Sequence, residues 1–241
     1  MKDLSTQQLT LATSDYDLRI TNLARFIFKK LPIKKGSFID VGAGNGLFLK
    51  FFKDRGFEVE GIELEKDQVH EMRKDFKLKD VTIRQGDITN LHGDENFDVV
   101  IASDVIEHIE NDVKALENLF SFVKKDGYLV LTVPAHMHLY GKRDKKWGHY
   151  RRYDRDSLLR KLESLKGGKV ASIQYWNLLG YFAYFLYEKI LQMPIRESFR
   201  YKQTLGSRLI RWVTDVLLKG EELVGGMPIG LTLVVVTKKV T

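Results

Sequence analysis

The 241-residue sequence contains no cysteine and only four prolines. The absence of cysteine excludes disulfides, thiolate nucleophiles and cysteine-ligated metals, and it fits a reducing compartment. Residues 1–13 are polar and lack the apolar core of a secretory signal, so we expect a cytoplasmic protein. The apolar and aromatic run at 178–187 has ten residues, whereas about twenty are needed to span a bilayer.

Acidic residues are also in deficit, because 39 lysines and arginines face 32 aspartates and glutamates, a net charge of +7. Between Lys142 and Lys161 nine basic residues face three aspartates, so this segment alone nearly accounts for the imbalance. A local excess of positive charge predicts an anionic partner, such as a phosphate, a carboxylate, a lipid headgroup or a nucleic acid. A solvated charged surface is the simpler alternative.

A short apolar strand at 38–41 leads into a turn with glycines at 42, 44 and 46, and a helix follows from Leu47. Such a turn brings backbone close to a nucleotide-like ligand. Leu47 stands where a dinucleotide fingerprint has glycine or alanine. Asp40, on the strand itself, would repel a pyrophosphate and attract a cation. The pattern therefore favours a cationic nucleoside ligand.

Three later strands end in polar residues that extend this pattern. Glu63 follows the second strand about twenty residues after the turn, where a carboxylate can accept both hydroxyls of a ribose. Asp87 and Ile88 follow the third strand, and the run Asp-x-x-Glu-His at 104–108 follows the fourth. All are expected at the carboxyl edge of one parallel sheet.

In this order the four segments resemble class I S-adenosylmethionine-dependent methyltransferases of the small-molecule and quinone type. The resemblance implies S-adenosyl-L-methionine as the cofactor and methyl transfer as the activity. It also implies a cofactor site formed by Asp40, Gly42, Ala43, Gly44, Gly46, Glu63, Leu64, Asp87, Ile88, Ser103, Asp104 and His108.

The alternation of strands and helices predicts a doubly wound α/β fold. The resemblance implies a Rossmann-like sheet of seven mostly parallel strands, with the last strand antiparallel between the fifth and sixth. We expect one methyltransferase domain over residues 1–241, with an N-terminal helix at 14–31 that Ser14 could cap. A helical insertion at 178–229 precedes the last strand.

The segment after the fifth strand carries His136, His138 and a Gly-His-x-Arg-Arg-Tyr string at 148–153. We expect these groups to meet at the sheet edge that also carries Asp104 and His108. The string resembles a subgroup that acts on anionic or lipid-linked small molecules. The predicted catalytic groups are His108 or His149 as a base, with Arg151 and Arg152 holding an anion. No metal site is predicted, because the sequence shows no third carboxylate and no regular pair of helical histidines.

Three interpretations of the insertion compete: a substrate lid, a homodimer contact, and a peripheral membrane contact through 178–187. The lid and the dimer contact are favoured over the membrane contact.

Two other functions stay open. An RNA or protein methyltransferase could use the basic segment, although no nucleic-acid-binding module is recognisable. An NAD-dependent oxidoreductase or a non-catalytic nucleotide-binding protein is the alternative from another class, and Leu47 and Asp40 argue against it.

Overall fold

The structure is a computed structural model that describes residues 17–193, 205–224 and 227–240. Its strands are β1 Gly36–Val41, β2 Phe57–Glu63, β3 Thr82–Gln85, β4 Phe97–Ser103, β5 Val123–Pro134, β6 Gly168–Trp176 and β7 Thr232–Lys239. Its helices are α1 Leu18–Lys30, α2 Leu47–Lys53, α3 Lys66–Lys74, α4 Asp112–Ser121, α5 Lys142–Trp147, α6 Arg155–Glu163, α7 Leu178–Tyr184 and α8 Leu205–Val224.

The seven strands form one sheet in the order β3-β2-β1-β4-β5-β7-β6. The pairs within β3-β2-β1-β4-β5 are parallel, and β7 is antiparallel to both β5 and β6. The predicted fold, including the position of the last strand, is confirmed. Since β1, β2, β3 and β4 are neighbours and parallel, the residues that follow them meet at one edge.

Both faces of the sheet are covered. Ile39, Val100 and Leu129 pack on one face against buried residues of α4 and α6. Phe38, Val99 and Val130 pack on the other face against buried residues of α1, α2 and α3. This two-sided burial explains the nearly continuous apolar sequence of β4. Each large side chain fully removed from water contributes about 1.5–3 kcal/mol to folding.

The N-terminal helix begins later than the sequence predicts. Asp17 caps α1, because its Oδ1 accepts hydrogen bonds from the N–H groups of Arg19 and Ile20 at 2.8 and 3.1 Å. The predicted cap, Ser14, lies outside the described residues. Leu23, Phe26 and Ile27 of α1 are fully buried against the sheet, so this helix is part of the core.

The fifth strand contains a bulge. It begins at Val123, which pairs with Phe97. The register shifts beyond this pair, and Asp126 has a φ of 65°. The preceding helix therefore ends at Ser121.

The insertion between β6 and β7 contains α7, its continuation Phe185–Ile190, and α8. Its first turn is tied to α8, because the carboxylate of Glu221 accepts hydrogen bonds from the N–H groups of Asn177 and Leu178 at 2.7 and 2.9 Å. Among the described residues, no helix is both long enough and apolar enough to cross a bilayer.

Candidate active site

The glycine turn after β1 takes a shape that other residues would resist. Gly42, Gly44 and Gly46 have φ values of 80°, 56° and 72°, in the left-handed region. The N–H groups of Gly42 and Ala43 both donate to the carbonyl of Ile62, which fixes the turn to β2. The turn therefore presents backbone at the carboxyl edge of the sheet.

Asp40, at the end of β1, is a buried carboxylate without an internal partner. Its side chain is 1% exposed, and neither oxygen makes a hydrogen bond. Burial, with a further contribution from the charge of Glu63, raises the pKa of Asp40 to about 8. An unpartnered buried carboxylate is costly, and a cationic ligand such as the methionine part of S-adenosyl-L-methionine would satisfy it.

Glu63, at the end of β2, bonds to the glycine turn. Its Oε2 accepts from the N–H of Gly44 at 2.7 Å, and its Oε1 accepts from the N–H of Glu65 at 3.0 Å. The carboxylate is thereby held in one orientation, with lone pairs left for the hydroxyls of a ribose. The neighbouring side chain, Leu64, is 56% exposed and borders this position.

Asp87 and Ile88 lie just beyond the end of β3. Asp87 accepts a hydrogen bond from the N–H of Thr89 at 2.9 Å, and Ile88 is buried. The carbonyl of Ile88 accepts from the side-chain amide of Asn118 at 2.7 Å, which fixes this turn against α4. Since β3, β2 and β1 are adjacent, Asp87, Glu63 and Asp40 stand in series along one edge of the sheet.

The segment after β4 packs against both the glycine turn and α1. Ser103 bonds to Thr132 on β5 at 2.8 Å, and Asp104 follows with a φ of 55°. A Cβ added to Gly42 would lie 2.5 Å from Cγ2 of Val105, so this segment packs directly on the glycine turn. On the far side, Asp104 pairs with Arg19 at 2.7 Å.

The pKa values of the two carboxyl groups in that segment, Asp104 and Glu107, are shifted in opposite directions. Burial would raise the pKa of Asp104, but the charge and hydrogen bond of Arg19 outweigh burial and lower it. Burial and the charge of Asp104 raise the pKa of Glu107 well above its usual range. Glu107 is fully buried, and neither of its oxygens has a hydrogen-bond partner.

His149 is held by Asp144, a buried carboxylate of α5. Nδ1 of His149 lies 3.0 Å from Oδ1 of Asp144, which also accepts from Nε of Arg152 at 2.9 Å. The hydroxyl of Tyr184 donates to its other oxygen at 3.1 Å. The hydrogen bond of His149 and the charge and hydrogen bond of Arg152 outweigh burial and lower the pKa of Asp144 to about 2. The ring of His108 stands 4.7 Å from that of His149, at 89°.

Each of the two arginines predicted to bind an anion is already paired with a carboxylate of the protein itself. Arg151 pairs with Asp112 at 2.9 Å and donates to the carbonyl of Glu110. Arg152 is buried beside Asp144 and also donates to the carbonyl of Ala135. Arg152 still lines the cavity described below. Binding of an anion by Arg151 or Arg152 stays a prediction.

The structure divides the histidines of this region, which we expected in one place, into two groups. His136 stacks on Tyr175 at 4.9 Å and lies 5.2 Å from His138, apart from the pair of His108 and His149. The reason lies in the backbone, because His136 has a φ of 66° and its N–H donates to the carbonyl of Tyr153.

A cavity of about 340 Å³ is lined by Asp104, Glu107 and His108 of the segment after β4, together with residues of other elements. One wall is charged and titratable, and it includes Arg19, Asp104, Glu107, His108, Arg143, Asp144, His149 and Arg152. The other wall comes mainly from the insertion and includes Leu179, Gly180, Ala183, Tyr184, Thr214 and Leu218.

Sequence reasoning missed several of these residues. Glu107 lies within the Asp-x-x-Glu-His run, so its position next to His108 could have identified it as a site residue. Arg19 had no such signal, because it is 85 positions from its partner Asp104. Asp144 was hidden among four lysines and arginines.

Comparison with protein families matches residues 14–166 to the family described as "Methyltransferase domain". The ubiquinone biosynthesis O-methyltransferase of Rickettsia conorii is 31% identical over 134 residues, which are 53% of this chain and 46% of that protein. The (S)-coclaurine N-methyltransferase of Papaver somniferum is 31% identical over 45% of this chain and 32% of that protein. The match thus spans less than half of these relatives' length.

Solved structures share the fold across nearly the whole chain. An S-adenosylmethionine-dependent methyltransferase from Archaeoglobus fulgidus has a TM-score of 0.63 at 17% identity, covering 98% of this chain and 100% of that one. One from Mesorhizobium loti has a TM-score of 0.62 at 14% identity, covering 92% and 99%. The chain therefore belongs to the methyltransferase domain family, and the cofactor of this domain is S-adenosyl-L-methionine.

Proposed function

We propose that the protein methylates a small acceptor that combines an anionic group with an apolar, lipid-like part. The observation that carries the proposal is the cavity of about 340 Å³ beside the cofactor crevice, with one charged and one apolar wall. S-adenosyl-L-methionine, when bound, supplies an electrophilic methyl group on a cationic sulfur. The contribution of the chain is to hold, align and dehydrate the two partners.

On the cofactor side, the resemblance to the family implies a role for each residue, and the chemistry of each residue suits that role. Asp40 faces the cationic methionine part, and Glu63 accepts from the ribose hydroxyls. Asp87 accepts from the adenine amine, and Ile88 packs on the ring. The remaining predicted contacts are Gly42, Ala43, Gly44, Gly46, Leu64, Ser103, Asp104 and His108.

The charged wall favours an anionic acceptor. Three arginines, Arg19, Arg143 and Arg152, line the cavity, against two aspartates with lowered pKa values, Asp104 and Asp144. In a partly dry site the attraction between a guanidinium group and an anion is strong. We place the anionic group of the acceptor against Arg143 and Arg152, as guanidinium groups suit carboxylate and phosphate.

The apolar wall favours a lipid-like acceptor part that enters from a membrane surface. The outward faces of α7, its continuation Phe185–Ile190 and α8 expose large apolar side chains, among them Phe182, Leu186, Leu209, Trp212 and Val216. Lys145 and Lys146 of α5 are also exposed, and cations attract anionic headgroups. We thus favour a peripheral membrane contact over the dimer contact. Residence in the cytoplasm stays a prediction.

His149 is the better placed of the two predicted bases. Its Nδ1 is held by Asp144, which leaves Nε2 as the nitrogen able to take a proton. His108 lies alongside and is also within the cavity wall. Either residue is needed as a base only if the acceptor atom carries a proton that must leave.

A labelling experiment tests the acceptor class. The full chain is incubated with S-adenosyl-L-[methyl-³H]methionine and a cell extract, which is then divided into lipid, anionic small-molecule, RNA and protein fractions. We expect tritium in the lipid fraction on a species that anion exchange retains. Label confined to RNA or protein would overturn the proposal in favour of the macromolecular alternative.

A pair of variants locates the acceptor site. Arg143→Ala removes a cation from the cavity wall, so the KM for the labelled acceptor should rise at least about tenfold. Its affinity for S-adenosylhomocysteine, measured by calorimetry, should stay unchanged. Arg160→Ala removes an exposed arginine of α6 and should change neither value. Equal loss of cofactor and acceptor binding in Arg143→Ala would refute the assignment.

A further inference from the structure

The proposed reaction gives the buried side chain of Glu107 no partner and no role. Its carboxylate is fully buried and both oxygens lack hydrogen-bond partners, although buried polar groups in proteins are nearly always paired. The position is not loose, because the carbonyl of Glu107 accepts from the N–H of Tyr150 at 2.8 Å. An unpartnered carboxylate held in place at a cavity wall indicates a missing ligand.

Two imidazoles stand beside this carboxylate. One nitrogen of His108, one nitrogen of His149 and one oxygen of Glu107 all lie within 4.8 Å of one another. Ligands of a tetrahedral ion at about 2.1 Å are roughly 3.4 Å apart, so small side-chain rotations would bring the three atoms onto one ion. Two imidazoles and a carboxylate, with further positions open, are a donor set suited to Zn²⁺.

The surroundings of His149 match those of a metal ligand. Asp144 holds Nδ1 at 3.0 Å, so Nε2 is the nitrogen that can bind an ion. Asp144 is itself fixed by Arg152 and by Tyr184. A carboxylate behind a ligating histidine sets the tautomer and the orientation of the ring. This support comes from α5 and α7, independently of Glu107.

We propose that Glu107, His108 and His149 bind one divalent transition-metal ion of the Zn²⁺ type. The open coordination positions face the cavity, where an oxygen of the acceptor can bind. If the proposed function holds, an acceptor hydroxyl bound there loses its proton to water and stays on the ion as an oxyanion, so that neither histidine need act as the base. The binding itself does not depend on the acceptor or on methyl transfer.

Calorimetric titration of the chelator-treated full chain with ZnCl₂ tests the site directly. We expect one ion per chain with a Kd in the micromolar range or tighter, and bound Co²⁺ should show the visible absorption of a four-coordinate N/O site. Glu107→Gln and His149→Ala should each weaken binding at least about tenfold. His138→Ala removes an exposed histidine of the other group and should leave affinity unchanged.

Several outcomes would overturn the metal site. They are the absence of Zn²⁺ binding, unchanged affinity in Glu107→Gln, or equal loss in His138→Ala. Circular dichroism and binding of S-adenosylhomocysteine show whether each variant is folded, and Co²⁺ absorption of His108→Ala gives a second readout should Glu107→Gln fail to fold. Because cofactor binding is measured separately, a failed metal site and a failed methyltransferase assignment give different results.

Discussion

The carboxylate of Glu63 accepts a hydrogen bond from the backbone N–H of Gly44 over 2.7 Å, which joins the end of β2 to the glycine turn after β1. With its second bond to Glu65, this side chain shapes the turn, and its remaining lone pairs are the acceptors that we propose for a ribose. The cofactor crevice is thus organised before any ligand binds.

Glu63→Gln should weaken both stability and cofactor binding. The amide keeps a single acceptor oxygen, and its NH₂ group would face an N–H, so unfolding free energy should fall by about 1–3 kcal/mol. Affinity for S-adenosylhomocysteine should drop at least about tenfold. Urea unfolding and calorimetry measure the two effects. Glu65→Gln, at an exposed residue, is the matched control, and equal effects in both variants would contradict the role of Glu63.

Asp40 should make the ligand-free protein less stable as the pH rises. Its pKa is about 8 in the folded protein against 3.8 as the reference value, so the folded state binds the extra proton between these values. Relative to Asp40→Asn, the wild type should therefore lose about 1.4 kcal/mol per pH unit between pH 5 and 7. Urea unfolding at three pH values measures this slope, and parallel curves would refute it.

Asp40→Asn should weaken ligand binding, although it removes the cost of ionising a buried carboxyl group in the folded protein. Asp40→Asn cannot become negative, so it should bind cationic S-adenosyl-L-methionine at least about tenfold more weakly than the wild type. The wild type should release a proton on binding near neutral pH, which calorimetry in two buffers detects. Proton release that persists in Asp40→Asn would assign it to another group.

Gly42 and Gly56 separate steric contact from backbone strain. Both have positive φ, 80° and 85°, but a Cβ at Gly42 would meet Val105 at 2.5 Å whereas one at Gly56 meets nothing within 4 Å. Gly56→Ala should cost about 1–2 kcal/mol of stability and spare cofactor affinity. Gly42→Ala should cost more and weaken S-adenosylhomocysteine binding. Thermal unfolding with and without this ligand distinguishes the two.

The buried pair of Arg152 and Asp144 should show strong coupling. Their side chains are 4% and 1% exposed, so Arg152→Met removes the guanidinium partner of a buried carboxylate and should cost about 3–5 kcal/mol. The double variant with Asp144→Leu should cost less than the sum of the two single changes. The exposed pair of Arg84 and Glu60 is the control, expected to couple by less than about 1 kcal/mol.

The gathering of the strand-end carboxylates was predictable and the cavity beside them largely was not, for a physical reason. Parallel strands end at the same edge of a sheet. Because Asp40, Glu63 and Asp87 each stand at the end of such a strand, the sequence predicts that they lie close together. The cavity instead depends on long-range contacts, such as Arg19 with Asp104, that no local spacing encodes. His136 has a φ of 66°, a backbone conformation that the sequence around it does not signal. Because lysines surround Asp144 in the sequence, nothing there indicated that its carboxylate is buried.

The antiparallel pairing of β6 with β7 has an evolutionary consequence. Tyr175 pairs with Leu233 and Trp176 with Thr232, so the excursion between them leaves and rejoins the sheet at neighbouring points. An insertion whose two ends lie this close together can be lengthened or exchanged without changing how β6 and β7 pair. Descendants of this chain can therefore acquire new acceptors by replacing one contiguous stretch while inheriting the methyl-donor half intact.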